Sequence, residues 1–421
     1  MSKLTKYKFS DLYEMSSGIS SSKEQAGHGF PFISFSTVFN NYFLPEELPD
    51  LMGTSLKEQE IFSVKKDDVF ITRTSETVDA LAMSCVAIKD YPKATFSGFV
   101  KRLRPKTTGI VYSKYIAFFL RSKYFRKVLD CNTIMTLRAS FNEDMFSFLY
   151  LYLPNYEEQV RIGDLLYKME MKIRTNNKIN DNLEQQAKLI YDYWFTQFDF
   201  PDENGKPYCS SGGKMVWNEQ LKRNIPENWA VVPLSTVFNF KSGFPFSSDL
   251  YVTKGRYKLL TIKNVQDNGI NLDVDNHIND IPSNVPGYCF LKANDILMSL
   301  TGNVGRIGIM YDDGCLLNQR VALAKPVNED LNSFVYFLLK SDMIRKQYET
   351  IANGSSQKNL SPVEAENVLI AYNEQVANHF ASSANKYLKT IVSNLLENES
   401  LIHLRDWLLP ILMNGQATIA D

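Results

Sequence analysis

Between Glu157 and Phe195 the apolar positions recur at steps of three and four: Ile162, Leu165, Met169, Ile173, Ile179, Leu183, Ala187, Ile190 and Trp194, with Asn176 on the same line. That spacing predicts one long amphipathic helix. Pro154 stands just before it, and Asp199-Phe-Pro-Asp-Glu-Asn-Gly supplies the breakers that end it. At ~1.5 Å per residue it would run for about 58 Å, more than a globular core needs, so it calls for a partner helix. Near the C-terminus Tyr387, Ile391, Leu395, Asn398, Leu401, Arg405 and Leu408 give a second such run. Asn176 and Asn398 fall on or beside the two seams, where a polar residue can fix register. The candidate seam and partner-docking positions are Leu165, Ile173, Leu183, Trp194, Ile391, Leu401 and Leu408.

Before each long helix the pattern is mixed. Gly29-Phe-Pro-Phe-Ile-Ser-Phe, Asp68-Val-Phe-Ile-Thr, Met83-Ser-Cys-Val-Ala-Ile and Phe146–Leu153 read as short strands, and 111–129 reads as one helix. The same plan then recurs. Asp68-Val-Phe-Ile-Thr matches Asp295-Ile-Leu-Met-Ser, and Phe99-Val-Lys-Arg-Leu-Arg-Pro105 matches Arg320-Val-Ala-Leu-Ala-Lys-Pro326. Tyr115-Ile-Ala-Phe-Phe-Leu-Arg-Ser122 matches Phe334-Val-Tyr-Phe-Leu-Leu-Lys-Ser341. The Glu-Gln pairs at 158–159 and 374–375 complete the series, in which the offset drifts only from 227 residues (Asp68 to Asp295) to 216 (Gln159 to Gln375). An internal duplication with small loop changes accounts for this. The expected fold is α+β: two similar α/β domains joined by two long antiparallel helices forming a coiled coil, with an internal pseudo-two-fold repeat. The expected segments are 1–155, a first domain; 156–198, the first long helix; 199–228, a connector; 229–372, the second domain; 373–415, the second long helix; and 416–421, a tail.

The 421 residues suffice for two or three cores, and 44% apolar with 22% charged residues is a globular composition. A net charge of −1 gives no global nucleic-acid signature, so any basic surface must be local. Five scattered cysteines without C-x-x-C and only four histidines argue against a zinc site and fit a reducing cytoplasm. No apolar run reaches membrane-spanning length, and the N-terminus lacks the apolar core of a signal peptide.

The sequence carries no recognised catalytic or cofactor motif. Gly302-Asn-Val-Gly-Arg-Ile-Gly is neither a dinucleotide fingerprint nor a P-loop and reads as a tight turn. Asp273 to Asn284 begins like a calcium loop but lacks its Gly and its closing Glu. There is no G-x-S-x-G, H-E-x-x-H or Asn-Pro-Pro-Tyr. What remains is polymer-binding chemistry. Lys101 to Lys127 holds nine basic residues and no acidic one, interleaved with aromatics. Lys101, Arg102 and Arg104 could there face phosphates, although a solvated helix face over an aromatic core fits equally. Thr301, Asn303 and Arg306, then Gln319 and Arg320, then Ser356, Gln357 and Lys358 lie in polar loops beside glycines and suited to base edges and phosphates; the first half's counterpart of the last loop, Thr136-Leu-Arg-Ala-Ser140 with Arg138, lacks the glycine.

These residues bring a family into view. Trp194-Phe-Thr-Gln-Phe-Asp-Phe-Pro-Asp-Glu-Asn-Gly-Lys-Pro-Tyr208, Ser210-Ser-Gly-Gly-Lys-Met-Val-Trp217, Ile225-Pro-Glu-Asn-Trp229, Ser299-Leu-Thr-Gly-Asn-Val-Gly305 and Leu317-Asn-Gln-Arg320 resemble the DNA-specificity subunits of type I restriction–modification systems. The likeness extends over essentially the whole chain. Thr72-Arg-Thr-Ser, where the family has a Thr-Gly turn, and Ala371-Tyr-Asn, in place of Pro-Pro, depart from it. The resemblance implies two target recognition domains, each reading half of a split site in double-stranded DNA, with the paired helices as a ruler. It also implies docking of modification subunits that carry S-adenosylmethionine and of restriction subunits, in the cytoplasm, with neither cofactor nor catalytic residue on this chain. The competing expectations are a protein-only assembly scaffold and an enzyme, a methyltransferase or nuclease, whose site goes unrecognised.

Overall fold

The computed structural model describes residues 4–20, 22–75, 81–132, 139–354 and 358–419. The chain divides into two compact units: Met1–Ile173 with Ser400–Asp421, and Arg174–Glu399. Both cuts fall inside long helices.

In the first unit, strands Tyr13–Ser17, Val100–Pro105, Val69–Thr72 and Ser84–Val86 make an antiparallel sheet in that order. In the second, Phe238–Ser242, Val321–Pro326, Ile296–Ser299 and Ile307–Ile309 make the same sheet in the same order. Every residue of Val69–Thr72 and of Ile296–Ser299 is buried. Strands covered on both faces lose the polar alternation that marks a one-sided strand, which is why they read as apolar runs. Thr5–Lys8 pairs with Tyr150–Leu153 as Ala230–Pro233 pairs with Leu369–Tyr372. A further sheet in each unit contains a parallel pair, Ala26–Ile33 with Thr95–Phe96 and Tyr257–Leu260 with Cys315–Leu317.

The duplication extends to single hydrogen bonds. Asp67 (φ 70°) and Asn294 (φ 74°) turn the chain into corresponding strands. The next residues, Asp68 and Asp295, each accept from a backbone N–H three residues earlier, Lys65 and Lys292, at 2.8 Å. The expected single helix over 111–129 is two helices, Ser113–Phe119 and Lys123–Asn132. The break has a cause: the Ser122 hydroxyl donates to the Phe119 carbonyl (2.6 Å) and accepts from Phe125 N (3.3 Å), capping the new helix. Ser341 does the same between Asn332–Leu339 and Asp342–Ile351, donating to Leu338 (2.7 Å) and accepting from Ile344 N (3.4 Å).

The long helices are Tyr156–Tyr191, followed by a wide π-turn at Asp192–Thr196, and Glu374–Met413. Asn155 and Asn373 cap them, accepting from Glu158 N (2.9 Å) and Val376 N (3.1 Å). The caps make Asn155 and Asn373 equivalent, so the two Glu-Gln pairs are not in structural register. Gln159 is buried, donating to Ile110 and Pro154 carbonyls and accepting from Tyr112 N, whereas Gln375 is exposed.

The helices run antiparallel within each unit: Glu170 meets Arg405 (3.3 Å) in the first, and Asn180 meets Asn394 (2.8 Å) and Trp194 meets Phe380 in the second. The buried stripe is Ile162, Leu166, Ile173, Asn176, Asn180, Ala187 and Tyr191. The expected seam is thus partly one residue out. Ile173 and Ile391 are buried; Leu165, Leu183, Trp194, Leu401 and Leu408 are half-buried; and Ile179 is exposed while Asn180 takes its place. At Ile179 the apolar spacing slips because the core position beside it, Asn180, is an amide. Asn176 donates to Asn398 Oδ1 (2.9 Å) and Glu397 (2.8 Å), and Asn398 donates to Asn177 (2.8 Å), yet Asn176 Oδ1 is buried with no partner. A buried polar layer of this kind trades stability for register. Joint Asn176→Leu and Asn398→Leu substitution is expected to raise unfolding stability by about 1 kcal/mol, read from urea midpoints; a lowered midpoint would show that the layer is a net stabiliser.

Among the described residues no helix is long and apolar enough to cross a membrane.

Candidate nucleic-acid interface

The cations at the start of the basic stretch are structural. Lys101, Arg102 and Arg104 lie on the central strand Val100–Pro105. Lys101 is 7% exposed and donates to Ser17 Oγ (2.7 Å); Arg102 is 9% exposed and donates to the Ser63 carbonyl (2.6 Å). Arg104 closes a two-pronged pair on Asp68, at 2.7 and 2.6 Å. Burial, then neighbouring cations (Arg73 for Lys101, Arg104 for Arg102), pushes the Lys101 and Arg102 groups below their usual ranges, while the hydrogen bonds that Arg104 donates to Asp68 raise Arg104. The expectation that these three face phosphate is therefore corrected: their charge is spent inside the unit. Farther along, Arg121 donates to the carbonyls of Val38, Phe39 and Asn41 and is likewise internal. Arg138, Ser356 and Gln357 lie outside the described residues.

In the second unit the candidate loops converge. Leu300 N donates to the Arg320 carbonyl (2.9 Å), and Leu360 N to the Leu300 carbonyl (2.8 Å). Gly302 N donates to the Lys358 carbonyl (2.8 Å), and Thr301 Oγ1 to Asn359 Oδ1 (2.8 Å). Thr301, Asn303, Arg306, Arg320 and Lys358 thus sit on loops sewn together by backbone. Gly302 (φ 76°) and Gly305 (φ 79°) supply the left-handed turns that side chains resist.

Several of these side chains already have partners. Arg306 grips Asp267 at 3.0 and 2.8 Å, and Lys358 donates to the Glu349 carbonyl (3.1 Å). Thr301 is 9% exposed. Beside them lies a cavity of about 280 Å³ walled by Arg306, Lys340, Arg345 and Lys358. Lys340 is paired with Glu184, and Arg345 with Glu349 at 3.2 Å. Three of the four cations are already neutralised by carboxylates, which disfavours a dedicated phosphate pocket. Gln319 and Arg320 are different: both are exposed, and among the described residues neither side chain has a hydrogen bond or ion pair. Arg320 holds φ 72°, a conformation costly for a side-chain-bearing residue, and its carbonyl accepts from Leu300 N.

That turn is held from below by a glycine the sequence reading passed over. A Cβ on Gly243 would come within 2.1 Å of the Asn318 carbonyl oxygen; on Gly18 it would come within 2.3 Å of Ser97. The signal was present as a repeated Ser-Gly, Ser17-Gly18 and Ser242-Gly243, at an offset inside the drift of the other matches. The two sites share one frame. Ile19 N donates to Phe96 O (2.9 Å) as Phe244 N does to Leu317 O (3.0 Å), and Gly98 N to Ile19 O (2.7 Å) as Gln319 N does to Phe244 O (3.1 Å). Arg73 N donates to Phe99 O (2.9 Å) as Leu300 N does to Arg320 O. The turn Ser97-Gly98-Phe99 is therefore the counterpart of Asn318-Gln319-Arg320.

The family model for the type I restriction modification DNA specificity domain matches residues 1–185 and again 226–370. Two curated relatives are each 22% identical. They are the type I restriction enzyme MjaIX specificity subunit of Methanocaldococcus jannaschii, matched over 98% of this chain and 93% of that protein, and the HindI specificity subunit of Haemophilus influenzae, over 91% and 94%. Among solved structures, a type I restriction–modification S subunit from M. genitalium shares the fold, with TM-score 0.60, 16% identity, and 98% and 96% of the two chains covered.

Proposed function

This chain belongs to the type I restriction–modification DNA specificity family, and on that footing we propose that its two units each read one half of a split double-stranded DNA site. It is a DNA-recognition subunit and not an enzyme. Methyl transfer and cleavage then belong to modification and restriction subunits that assemble on it in the cytoplasm, with S-adenosylmethionine held by the former. The observation that carries the split-site reading is the turn built twice on one frame with unlike side chains, Ser97-Gly98-Phe99 and Asn318-Gln319-Arg320. A repeated scaffold with different tips suits two readers of different sequence. For partners, Leu396 (43% exposed), Leu404 (42%) and Trp407 (63%) offer apolar surface on the second helix.

The test is to assemble the chain with its modification subunits, expose random-sequence DNA to the complex, and map methylated adenines. One motif in two parts separated by unspecified bases is expected. Arg320→Ala should relax one part, with about tenfold weaker preference, roughly the value of one good base contact, and spare the other. Methylation with no sequence preference, or equal relaxation of both parts, would defeat the reading.

A further inference from the structure

We infer that Phe99 and Arg320 are paired readout residues, and that Phe99 reads a thymine through its C5-methyl group at the place where Arg320 reads a guanine. The inference rests on the DNA-recognition reading above and goes further by assigning residues and bases.

The backbone argument comes first. Phe99 and Arg320 end turns with the same hydrogen-bond frame, each with its carbonyl held by the residue that follows a central strand, Arg73 or Leu300, although only Arg320 takes a left-handed φ. Val100 N returns to Ser97 O (2.9 Å) as Val321 N returns to Asn318 O (3.4 Å). The residues opening the turns are both buried, Ser97 at 8% and Asn318 at 7% exposed. Each accepts a hydrogen bond from within its own turn: Ser97 Oγ from Phe99 N (3.2 Å), Asn318 Oδ1 from Gln319 N (2.8 Å). These are rigid turns that differ at their tips.

The tips differ in chemistry. Phe99 is 66% exposed although its neighbour Val100 is fully buried. A turn this well anchored holds a phenyl ring in water, at a cost the fold has not removed. The cations that follow it, Lys101 and Arg102, are turned inward, so they cannot supply the contact. Arg73, exposed and bonded through its N–H to the Phe99 carbonyl, is the adjacent cation, suitably placed for a phosphate. An apolar ring offered to the major groove meets one apolar feature on the base edges, the thymine methyl. An exposed guanidinium offered from the same frame favours the two acceptors of guanine.

The full chain, assembled with its modification subunits, would be given DNA duplexes selected from a randomised library. Each thymine in them would be replaced in turn by deoxyuridine, which lacks only the methyl. One thymine in one half-site should be sensitive, binding roughly fourfold weaker as deoxyuridine, about what one methyl contact is worth. Phe99→Ala should abolish that sensitivity and leave the other half-site intact, and Phe99→Arg should shift the preference at that base toward guanine. In the other half-site, 7-deazaguanine should weaken binding by the wild-type chain but not by Arg320→Ala. If Phe99→Ala selects the same sequences with the same deoxyuridine response, the inference fails while the function stands. If deoxyuridine is harmless everywhere but Phe99→Ala still loses binding, the thymine assignment fails in favour of a wedge between base steps. A complex that selects no sequence at all overturns both the inference and the reading beneath it.

Discussion

Asp68→Asn is expected to cost about 3 kcal/mol of folding stability, the lower end of what removing one partner of a buried ion pair costs. Asp68 is fully buried; its carboxylate takes both prongs of Arg104 and the backbone N–H of Lys65. Taking away the charge leaves Arg104 without its counter-ion, next to Arg102, which is itself mostly buried. The lower end applies because the Arg104 side chain keeps 27% of its exposure. The duplicated position supplies the control. Asp295 accepts from Lys292 in the same way, but the cation at the place of Arg104 is Lys325, which pairs with Glu329 (3.0 Å). Burial therefore raises the Asp295 carboxyl above its usual range. A carboxyl raised on folding favours the protonated state, so its contribution falls as pH rises through the raised value and is already unfavourable at neutral pH. Asp295→Asn should then be neutral or slightly stabilising at pH 7. Urea unfolding of both variants checks the contrast, and equal losses would refute it.

Gly243→Ala is expected to abolish reading of one half-site while the unit stays folded. The new methyl would sit 2.1 Å from the Asn318 carbonyl oxygen, and backbone cannot yield as a flexible side chain does. The turn carrying Gln319 and Arg320 must move off its frame. Overpacking of this kind costs about 1–3 kcal/mol. A base contact needs sub-ångström placement, so at least about tenfold in affinity should go with it. Gly18→Ala should do the same to the other half-site, where the methyl would meet Ser97. Competition binding with duplexes altered in one half at a time separates the two; if either variant weakens both halves alike, the turns do not act independently.

The sequence disclosed periodicity and repetition well and side-chain destination poorly. The central strands were legible because Val69–Thr72 and Ile296–Ser299 are buried on both sides and carry little besides apolar residues. The helices were legible because Ile162, Ile173, Ala187 and Ile391 keep helical spacing. The seam slipped at Ile179 because a search for apolar residues cannot know that Asn180 is buried against Asn394. The basic stretch misled for a related reason. Nine cations without an acid nearby in sequence look unpaired, but their partners are distant along the chain: Asp68 for Arg104, and the Val38, Phe39 and Asn41 carbonyls for Arg121. The Arg320 turn is legible through its polar residues, whereas Phe99, apolar, stands out only as a position of the repeat.

The division of the chain also sets an order of assembly during translation. Arg174–Glu399 is one continuous stretch, complete before synthesis ends. Met1–Ile173 emerges first yet lacks Leu409, Leu412 and Met413, which pack into its core with Phe9, Phe118 and Leu166. The half made first must wait for Ser400–Asp421 to close its interior, so a chain ending at Glu399 would carry one finished reader and one open one.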